Sequence, residues 1–275
     1  MKFKVCILLC ILITSCNPKQ NNTVISETIN TDSILVDNTI ESSIDNNDEF
    51  DDLDYYANFS YKGIQIFEDR SYGEDDYTKK LLHIMDTIVG LFSVDNRYIL
   101  KQCRIVKVNT YEQDCGYTVI EPTLETKDTC FYLIRGLKGF NKNDVNIVHH
   151  LQNINLWANT SHNFKYSGVN YLLKSEGEVL SSQGEGNDKW EDTANYKLYL
   201  ISGEKSQCLL KMKSFQDRIT ELRLVGDLDG DNKPDFIIYS PQGYEDNRLL
   251  LFLSSFADKD ELVKLVSITF DSFAC

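Results

Sequence analysis

The chain has 275 residues, 25% charged and 42% apolar, which is the composition of an ordinary soluble globular protein with room for one large domain or two small ones. Its 42 acidic residues outnumber the 28 Lys and Arg residues, giving a formal net charge of −14. A surface this acidic repels phosphate backbones, so the charge argues against nucleic acid as a partner and favours cations.

The N-terminus has the features of an exported lipoprotein. Two lysines precede an apolar stretch, residues 5–13, that is too short to span a bilayer, which predicts a secretory signal over residues 1–15. The run ITSC at residues 13–16 resembles the lipobox of bacterial lipoproteins. The resemblance implies lipidation of Cys16, palmitate included, and attachment to the cell envelope through the lipid.

The residue after Cys16 bears on the destination of the protein. An Asp at position 17 would cause retention at the inner membrane, so Asn17 favours the outer membrane. The alternative is an ordinary signal peptide in which Cys16 is incidental.

Residues 16–54 are rich in Asn, Thr, Ser and Asp and show no sustained hydrophobic period. We interpret them as a disordered tether that holds the folded part away from the lipid. The acidic patch at residues 45–54 is interpreted as a solvated, self-repelling part of this tether rather than a second metal site.

The region from residue 55 to residue 275 is predicted to be rich in strands. Short runs of aromatic, β-branched and leucine residues alternate with Gly, Asn, Asp and Ser turn residues. The predicted strands cover residues 60–67, 98–108, 116–120, 130–135, 169–174, 196–201, 207–212, 219–225, 236–240, 248–253 and 262–268. One helix is predicted from Thr78 to Phe92, where apolar residues recur at helical spacing and Gly90 lies near the end. The fold class is therefore mainly β, with antiparallel sheets and one short helix, in one or two β-rich subdomains that divide near residues 153–163.

Five cysteines remain after the predicted cleavage and lipidation: Cys103, Cys115, Cys130, Cys208 and Cys275. An odd number leaves at least one thiol unpaired, and the spacing alone does not decide the pairing. Cys208 and Cys275 both lie in the C-terminal half, which makes them a candidate disulfide, although strands near in sequence need not have bridging geometry.

The segment DLDGDNKPD, residues 227–235, is the most informative stretch of the chain and runs directly into an apolar strand. Its four carboxylates, at loop positions 1, 3, 5 and 9, repel one another on a compact turn unless a hard cation lies between them. An EF-hand is excluded, because Asn232 and Ile238 stand where that motif has Gly and Glu. The alternative is an ordinary acidic hairpin turn, since Asp, Gly, Asn and Pro are turn residues in their own right.

The segment resembles the calcium loop of FG-GAP repeats, which build integrin-type β-propellers and carry a DxDGDxxxD turn between two strands. The resemblance implies one structural Ca²⁺, held by four carboxylates and the backbone carbonyl of Lys233. The implied carboxylate ligands are Asp227, Asp229, Asp231 and Asp235. Asn232 departs from the family, which commonly has glycine there, but asparagine also tolerates the left-handed conformation. Only one such loop is present, over about residues 220–255, and a propeller needs several blades, so a full propeller is not expected.

More broadly, the C-terminal part resembles exported bacterial lipoproteins with a single repeat of this kind, from which no activity can be carried over. The sequence contains no GxSxG, no HExxH and no phosphate-cradling glycine loop. The run SSQGEGNDKWED, residues 181–192, predicts a long exposed loop in which Trp190 is a candidate anchor for a ligand such as a glycan.

Together these features predict a non-catalytic, calcium-stabilised envelope lipoprotein that binds a protein or glycan partner. Two alternatives stay open. One is an envelope hydrolase whose catalytic residues are scattered through the chain, and the other is a purely structural envelope component.

Overall fold

A computed structural model of the chain describes residues 58–73, 88–95, 97–113, 116–140, 145–149, 153–184, 186, 189–215 and 219–272. These residues belong to one compact unit that spans residues 47–275. The predicted signal, Cys16, the tether, Cys115, Cys275 and residues 78–87 of the predicted helix lie outside the described residues. The subdomain boundary near residues 153–163 also stays a prediction.

The described elements are eighteen strands and a short 3₁₀ turn, Ser254–Phe256, and the strands form four antiparallel sheets. The strands are β1 (Phe59–Ser60), β2 (Gln65–Glu68), β3 (Tyr72–Gly73), β4 (Ile88–Val94), β5 (Arg97–Cys103), β6 (Ile105–Glu112), β7 (Thr118–Leu124), β8 (Thr129–Arg135), β9 (Ile147–His149), β10 (Ile154–Asn155), β11 (Ser161–Tyr166), β12 (Val169–Gln183), β13 (Trp190–Ser202), β14 (Lys205–Phe215), β15 (Glu221–Gly226), β16 (Asp235–Tyr239), β17 (Asp246–Leu253) and β18 (Lys264–Ser272). The mainly β fold class is therefore confirmed. In this part of the chain, no helix has the length and apolarity that crossing a membrane requires.

The largest sheet has seven strands and contains the strands on either side of the predicted metal loop. Its order is β1-β18-β17-β16-β15-β10, and β9 also pairs with β15. The other sheets are β11-β12-β13-β14, β2-β8-β4-β5 and β3-β7-β6. Among the described strands, then, the architecture is one large sheet with three smaller ones and not a ring of repeated four-stranded blades.

Hydrophobic side chains cover both faces of the seven-stranded sheet, because successive residues of a strand point to opposite sides. On β16, Phe236 and Ile238 belong to a cluster that includes Leu198 and Leu200 of β13. Ile237, between them, belongs to a second cluster. That cluster includes Ile66, Leu91 and Ile134 from the β2-β8-β4-β5 sheet. The large sheet thus lies between two others, which is why every residue of β16 is buried.

The helix predicted from Thr78 to Phe92 is wrong over its described part. Residues 88–94 form β4, which pairs with β5 on one side and β8 on the other. Five consecutive residues from Ile88 to Phe92 are buried, because β4 is a central strand covered on both faces. A short, fully apolar run fits helical spacing as well as strand spacing, so periodicity could not separate the two.

Three other predicted elements are corrected by the strand pairing. The strand predicted at residues 98–108 is two strands in different sheets, since β5 pairs with β4 and β6 pairs with β7. Residues 60–67 contain a turn between β1 and β2. The loop predicted at residues 181–192 is strand at both ends, because pairing continues through Ser181 opposite Asp192 and Gln183 opposite Trp190. Cross-strand hydrogen bonds extend this hairpin although its side chains are polar.

Candidate metal centre

The predicted metal loop connects β15 to β16 within the seven-stranded sheet. Gly226 pairs with Asp235 at its base, so strand pairing closes the loop. Two of its residues have a positive φ, Gly230 at 85° and Asn232 at 62°. Glycine adopts this conformation without a steric penalty, and asparagine is one of the few other residues that visit it routinely. Asn232 therefore suits its position even though the related loops commonly have glycine there.

Three carboxylates converge in the loop. Asp227, Asp229 and Asp235 each place an oxygen within 4.8 Å of the others. Asp235 is fully buried and Asp229 is 7% exposed. The Oδ1 atom of Asp229 is buried and accepts no hydrogen bond from the described residues. A buried carboxylate oxygen without a donor is costly, so the group has the arrangement expected around a cation.

Asp227 organises the backbone of the loop. Its Oδ1 accepts hydrogen bonds from the N–H groups of Gly230 at 2.7 Å and Asp231 at 3.1 Å. Its Oδ2 accepts one from the N–H of Asn232 at 2.9 Å. Aspartate side chains commonly stabilise turns in this way. The loop therefore wraps around one of its own candidate ligands.

Asp235 joins the two ends of the site. Its Oδ2 accepts a hydrogen bond from the N–H of Leu228 at 2.7 Å. Its Oδ1 accepts two from Ser254, one from the backbone N–H at 2.8 Å and one from the hydroxyl at 3.1 Å. The start of the loop and the 3₁₀ turn after β17 are thus both attached to one buried carboxylate.

Asp231 and Lys233 lie apart from the three converging carboxylates. Both oxygens of Asp231 lie within hydrogen-bond distance of the Ser254 hydroxyl, at 3.0 and 2.9 Å, and Oδ1 also accepts the N–H of Lys233 at 2.9 Å. The Lys233 side chain is 64% exposed, and its Nζ lies 4.0 Å from Asp231 Oδ2. The structure thus brings together three of the four predicted carboxylates. The roles of Asp231 and of the Lys233 carbonyl as ligands stay predictions.

Burial and mutual repulsion raise the pKa values of two of the three acids. Burial raises the pKa of Asp235 well above its usual value, and the negative charge of Asp229 adds to the increase. Burial also raises the pKa of Asp229; the hydrogen bond from Ser255 opposes this effect, and the charges of Asp231 and Asp227 add to it. A bound cation reverses such shifts, because it stabilises the ionised carboxylates.

Comparison with known protein families places a match at this site. The FG-GAP repeat matches residues 224–252, which include the end of β15, the loop, β16 and most of β17. The chain contains an FG-GAP repeat. FG-GAP repeats generally bind calcium, and the acidic group formed by Asp227, Asp229 and Asp235 has the ligand chemistry to hold a metal. Comparisons with curated proteins and with solved structures gave no significant match.

Neighbouring segments hold the FG-GAP loop from outside. The hydroxyl of Ser167, in the turn between β11 and β12, donates to Asn232 Oδ1 at 3.0 Å. The N–H of Asp227 donates to the carbonyl of Asn146 at 3.3 Å, and the same carbonyl accepts the Tyr166 hydroxyl at 3.2 Å. Burial, followed by the charges of Asp227 and Asp235, raises the pKa of Tyr166 to about 12. Tyr166 therefore stays a neutral hydrogen-bond donor beside the carboxylates.

Two serines of the FG-GAP site were not identified as site residues from the sequence. Ser254 donates to Asp235 and Asp231, and the Ser255 hydroxyl donates to Asp229 Oδ2. Both serines follow β17 directly. A signal was available, because antiparallel pairing of β16 with β17 places Phe252 opposite Phe236, and hence the end of β17 beside the loop. Extending the strand predicted at residues 248–253 by two residues reaches them.

The other residues selected from the sequence lie outside the FG-GAP site. Trp190 begins β13 and is half-buried, rather than lying at the end of an exposed loop. Cys208 lies on β14 opposite Tyr199 and is partly buried, and its proposed pairing with Cys275 stays a prediction. Cys103 and Cys130 are buried thiols. Burial raises the pKa of both thiols, that of Cys103 to about 11, which disfavours the reactive thiolate form.

Proposed function

We propose that the protein is a non-catalytic, calcium-stabilised lipoprotein of the cell envelope that binds a protein or glycan partner. One observation carries the calcium part of the proposal. Asp229 Oδ1 is a buried carboxylate oxygen without a hydrogen-bond donor, and oxygens of Asp227 and Asp235 lie within 4.8 Å of the Asp229 carboxylate. A cation held by these three residues would satisfy that oxygen and neutralise the repulsion among them.

The chemistry of the candidate ligand atoms indicates the type of metal. All the candidate ligand atoms are oxygens, which favours a hard cation, and no His or Cys of the described ranges belongs to the group. An irregular loop that already uses part of its carboxylate capacity on backbone N–H groups suits the flexible coordination of Ca²⁺ better than the strict octahedron of Mg²⁺. The bound calcium would act as a structural element with no chemical step to perform.

The position of the loop indicates what calcium would stabilise. The loop joins two strands of the largest sheet, and Asp235 attaches it to the turn after β17. Calcium would therefore hold three consecutive strands and the 3₁₀ turn in register. An FG-GAP repeat within a β-rich unit favours a binding role, since such repeats build integrin-like β-rich domains.

The proposed location rests on the N-terminal sequence. The apolar segment and the ITSC run at residues 13–16 support lipidation of Cys16, with the outer membrane as the destination. Replacing Cys16 by Ser should move the protein from the membrane fraction to the soluble fraction and abolish incorporation of labelled palmitate. Palmitate labelling that survives Cys16→Ser would refute this assignment.

Thermal unfolding with calcium and with chelator tests the metal site. For a dissociation constant of about 10⁻⁴–10⁻³ M, calcium at about 10 mM should raise the Tm by roughly 3–10 °C. Asp229→Ala should remove the difference, whereas Asp260→Ala, at an exposed acid outside the loop, should keep it. An equal Tm of the unaltered protein in chelator and in calcium would rule out the proposed site.

Affinity purification from gently solubilised envelopes tests the binding role. A specific partner should be recovered in calcium and lost when the bait carries Asp229→Ala, because loosening of the loop propagates to the strands that it connects. Turnover of an envelope substrate by the purified protein would instead support the hydrolase alternative.

A further inference from the structure

A second cluster of interacting side chains involves the loop before β11 and the start of β13. It is formed by Trp157, Lys189 and Glu191, with Thr193 on the same strand face as Glu191, and we call these four residues the Trp157 corner. The Lys189 ammonium lies 4.6 Å from the centroid of the Trp157 ring and 2.5 Å from Glu191 Oε1. An aromatic face and a carboxylate thus contact one cation from two sides.

Two polar atoms of the corner are buried and have no hydrogen-bond partner within the described part of the chain. They are Oε2 of Glu191, a residue 5% exposed, and Oγ1 of Thr193, which is fully buried. The two residues are two apart on β13 and therefore lie on the same face of the strand. Lys189 satisfies one oxygen of Glu191 and leaves the other without a donor. The corner is an incompletely satisfied cation site.

The backbone around Trp157 is held firmly in place. Its carbonyl accepts the Thr160 hydroxyl at 2.7 Å and also the hydroxyl of Ser175. The side chain of Asn159 donates to the Gly177 carbonyl at 2.8 Å and accepts the Gly177 N–H at 3.3 Å. These bonds attach the loop to β12, so the backbone that carries the aromatic ring is held in place.

Space beside Thr193 is closed on one side by the backbone of β12. A Cβ atom on Gly177 would lie 2.9 Å from Thr193 Cγ2 and 3.3 Å from the Cβ of Ala158. The side chain of Lys189 is 28% exposed, whereas that of Glu191 is only 6% exposed. Lys189 is therefore the more accessible member of the ion pair.

We propose that the Trp157 corner binds an arginine side chain of a partner protein, which displaces Lys189 from Trp157 and Glu191. The exchange replaces one cation by another, so the buried carboxylate never loses its counter-charge. A planar guanidinium donates two parallel hydrogen bonds to a carboxylate and stacks on an aromatic ring, which a single ammonium cannot do. The arginine thereby supplies the donor that Glu191 Oε2 lacks.

The net charge of the chain favours the same class of partner. A formal charge of −14 attracts basic surfaces and accelerates their association. A neutral sugar fits less well, because displacing Lys189 without a cation would leave the buried carboxylate of Glu191 unpaired. This inference rests on the partner-binding role proposed above and assigns the partner a chemistry.

The experiment measures binding of N-acetylarginine amide by ligand-detected NMR to the unaltered protein and to Lys189→Met. Removing the internal competitor should strengthen binding of this probe about tenfold. Adding Glu191→Gln should weaken it at least about tenfold, and adding Trp157→Leu about fivefold. N-acetyllysine amide should bind the Lys189→Met protein more weakly than the arginine probe does, because it makes only one hydrogen bond to the carboxylate.

Three results would overturn the inference. The first is equal binding of the arginine probe before and after Glu191→Gln, which would indicate general attraction to an acidic surface. The second is that Lys189→Met has no effect on binding of this probe. The third is saturable binding of a neutral disaccharide, maltose, that Trp157→Leu abolishes. If Lys189→Met fails to fold, because it leaves the buried carboxylate of Glu191 unpaired, the comparison of the unaltered protein with Trp157→Leu decides instead. Arginine binding should then weaken about fivefold, and equal binding overturns the inference.

The same titrations in calcium and in chelator separate this inference from the function proposed above. Absence of arginine binding together with an intact calcium-dependent Tm rise overturns only the Trp157 corner. Arginine binding without any calcium effect supports the corner and rejects the metal part of the proposed function.

Discussion

Ser254 donates both its backbone N–H and its hydroxyl to the same oxygen of Asp235, at 2.8 and 3.1 Å. The same hydroxyl lies 3.0 and 2.9 Å from the two oxygens of Asp231. A serine hydroxyl has one hydrogen, so three carboxylate oxygens share a single donor. Ser254 therefore joins the end of β17 to two acids of the FG-GAP loop, the buried Asp235 and the more exposed Asp231. One hydroxyl does not neutralise the negative charge of these two carboxylates.

Replacing Ser254 by Ala should destabilise the protein. The change keeps the backbone N–H but removes the hydroxyl from two carboxylates, which should lower the free energy of unfolding by about 1–2 kcal/mol in chemical denaturation. Ser206→Ala, at an exposed position of β14, serves as the control and should change it by less than about 0.5 kcal/mol. Equal effects of the two substitutions would show that the Ser254 hydroxyl is not needed to hold the loop.

Raised pKa values in the FG-GAP loop predict opposite pH responses with and without calcium. The pKa values of Asp229 and Asp235 are higher in the folded state than in the unfolded chain, where an aspartate has a pKa of about 3.9. Folding of the calcium-free protein therefore takes up protons. The stabilisation from these two groups is complete at low pH and is lost as the pH rises through the folded-state pKa values.

Calcium binding needs ionised carboxylates, so its stabilising effect has the reverse dependence. The Tm difference between calcium and chelator should be largest at about pH 7.5 and should shrink as the pH falls to about 4.5. Thermal scans at matched pH values measure this difference and cancel the contributions of groups outside the site. A difference that stays constant over the range would contradict the assignment of these two acids to the metal.

Asn232 should tolerate glycine but not a β-branched residue. Its φ of 62° lies in the left-handed region, where valine is strained. Asn232→Gly should alter the free energy of unfolding by less than about 1 kcal/mol, whereas Asn232→Val should lower it by about 1–2 kcal/mol. Urea denaturation measures both. Lys233→Val at the exposed neighbour is the control and should have little effect. An equal loss of unfolding free energy in Lys233→Val would show that valine itself, and not the left-handed backbone of residue 232, causes the loss.

Gly90 should not tolerate alanine, because it lies in the central strand β4. An added Cβ would lie 2.6 Å from Cζ of the buried Phe92 ring and 3.2 Å from Cys103 Sγ. Gly90→Ala should therefore destabilise the protein by about 1–3 kcal/mol in urea denaturation. In an exposed helix the same change would stabilise by up to about 1 kcal/mol, so the sign of the effect distinguishes strand from helix. Ser93→Ala, three residues further along β4, is the control.

The sequence predicted the C-terminal strands closely and failed around β4, for a physical reason. β16 and β17 were expected at residues 236–240 and 248–253 and are found at Asp235–Tyr239 and Asp246–Leu253. The acidic turn at residues 227–235 marks the start of β16, and the apolar run that follows the turn is too short for a helix. The run ending at Phe92 lacks such a marker, and burial on both faces removes the alternation that identifies a strand.

By itself, the sequence determined the mainly β class and the convergence of acidic residues in the FG-GAP loop, because turn residues and carboxylate spacing act within a few positions of one another. Only the tertiary structure decided which of those acids are buried, that Ser254 and Ser255 complete the site, and that Trp157 faces Lys189 beside Glu191. The contacts of Ser254, Ser255 and Trp157 join residues 19 to 32 positions apart. Their geometry depends on strand register and on layers packing against each other, which no short window of sequence contains.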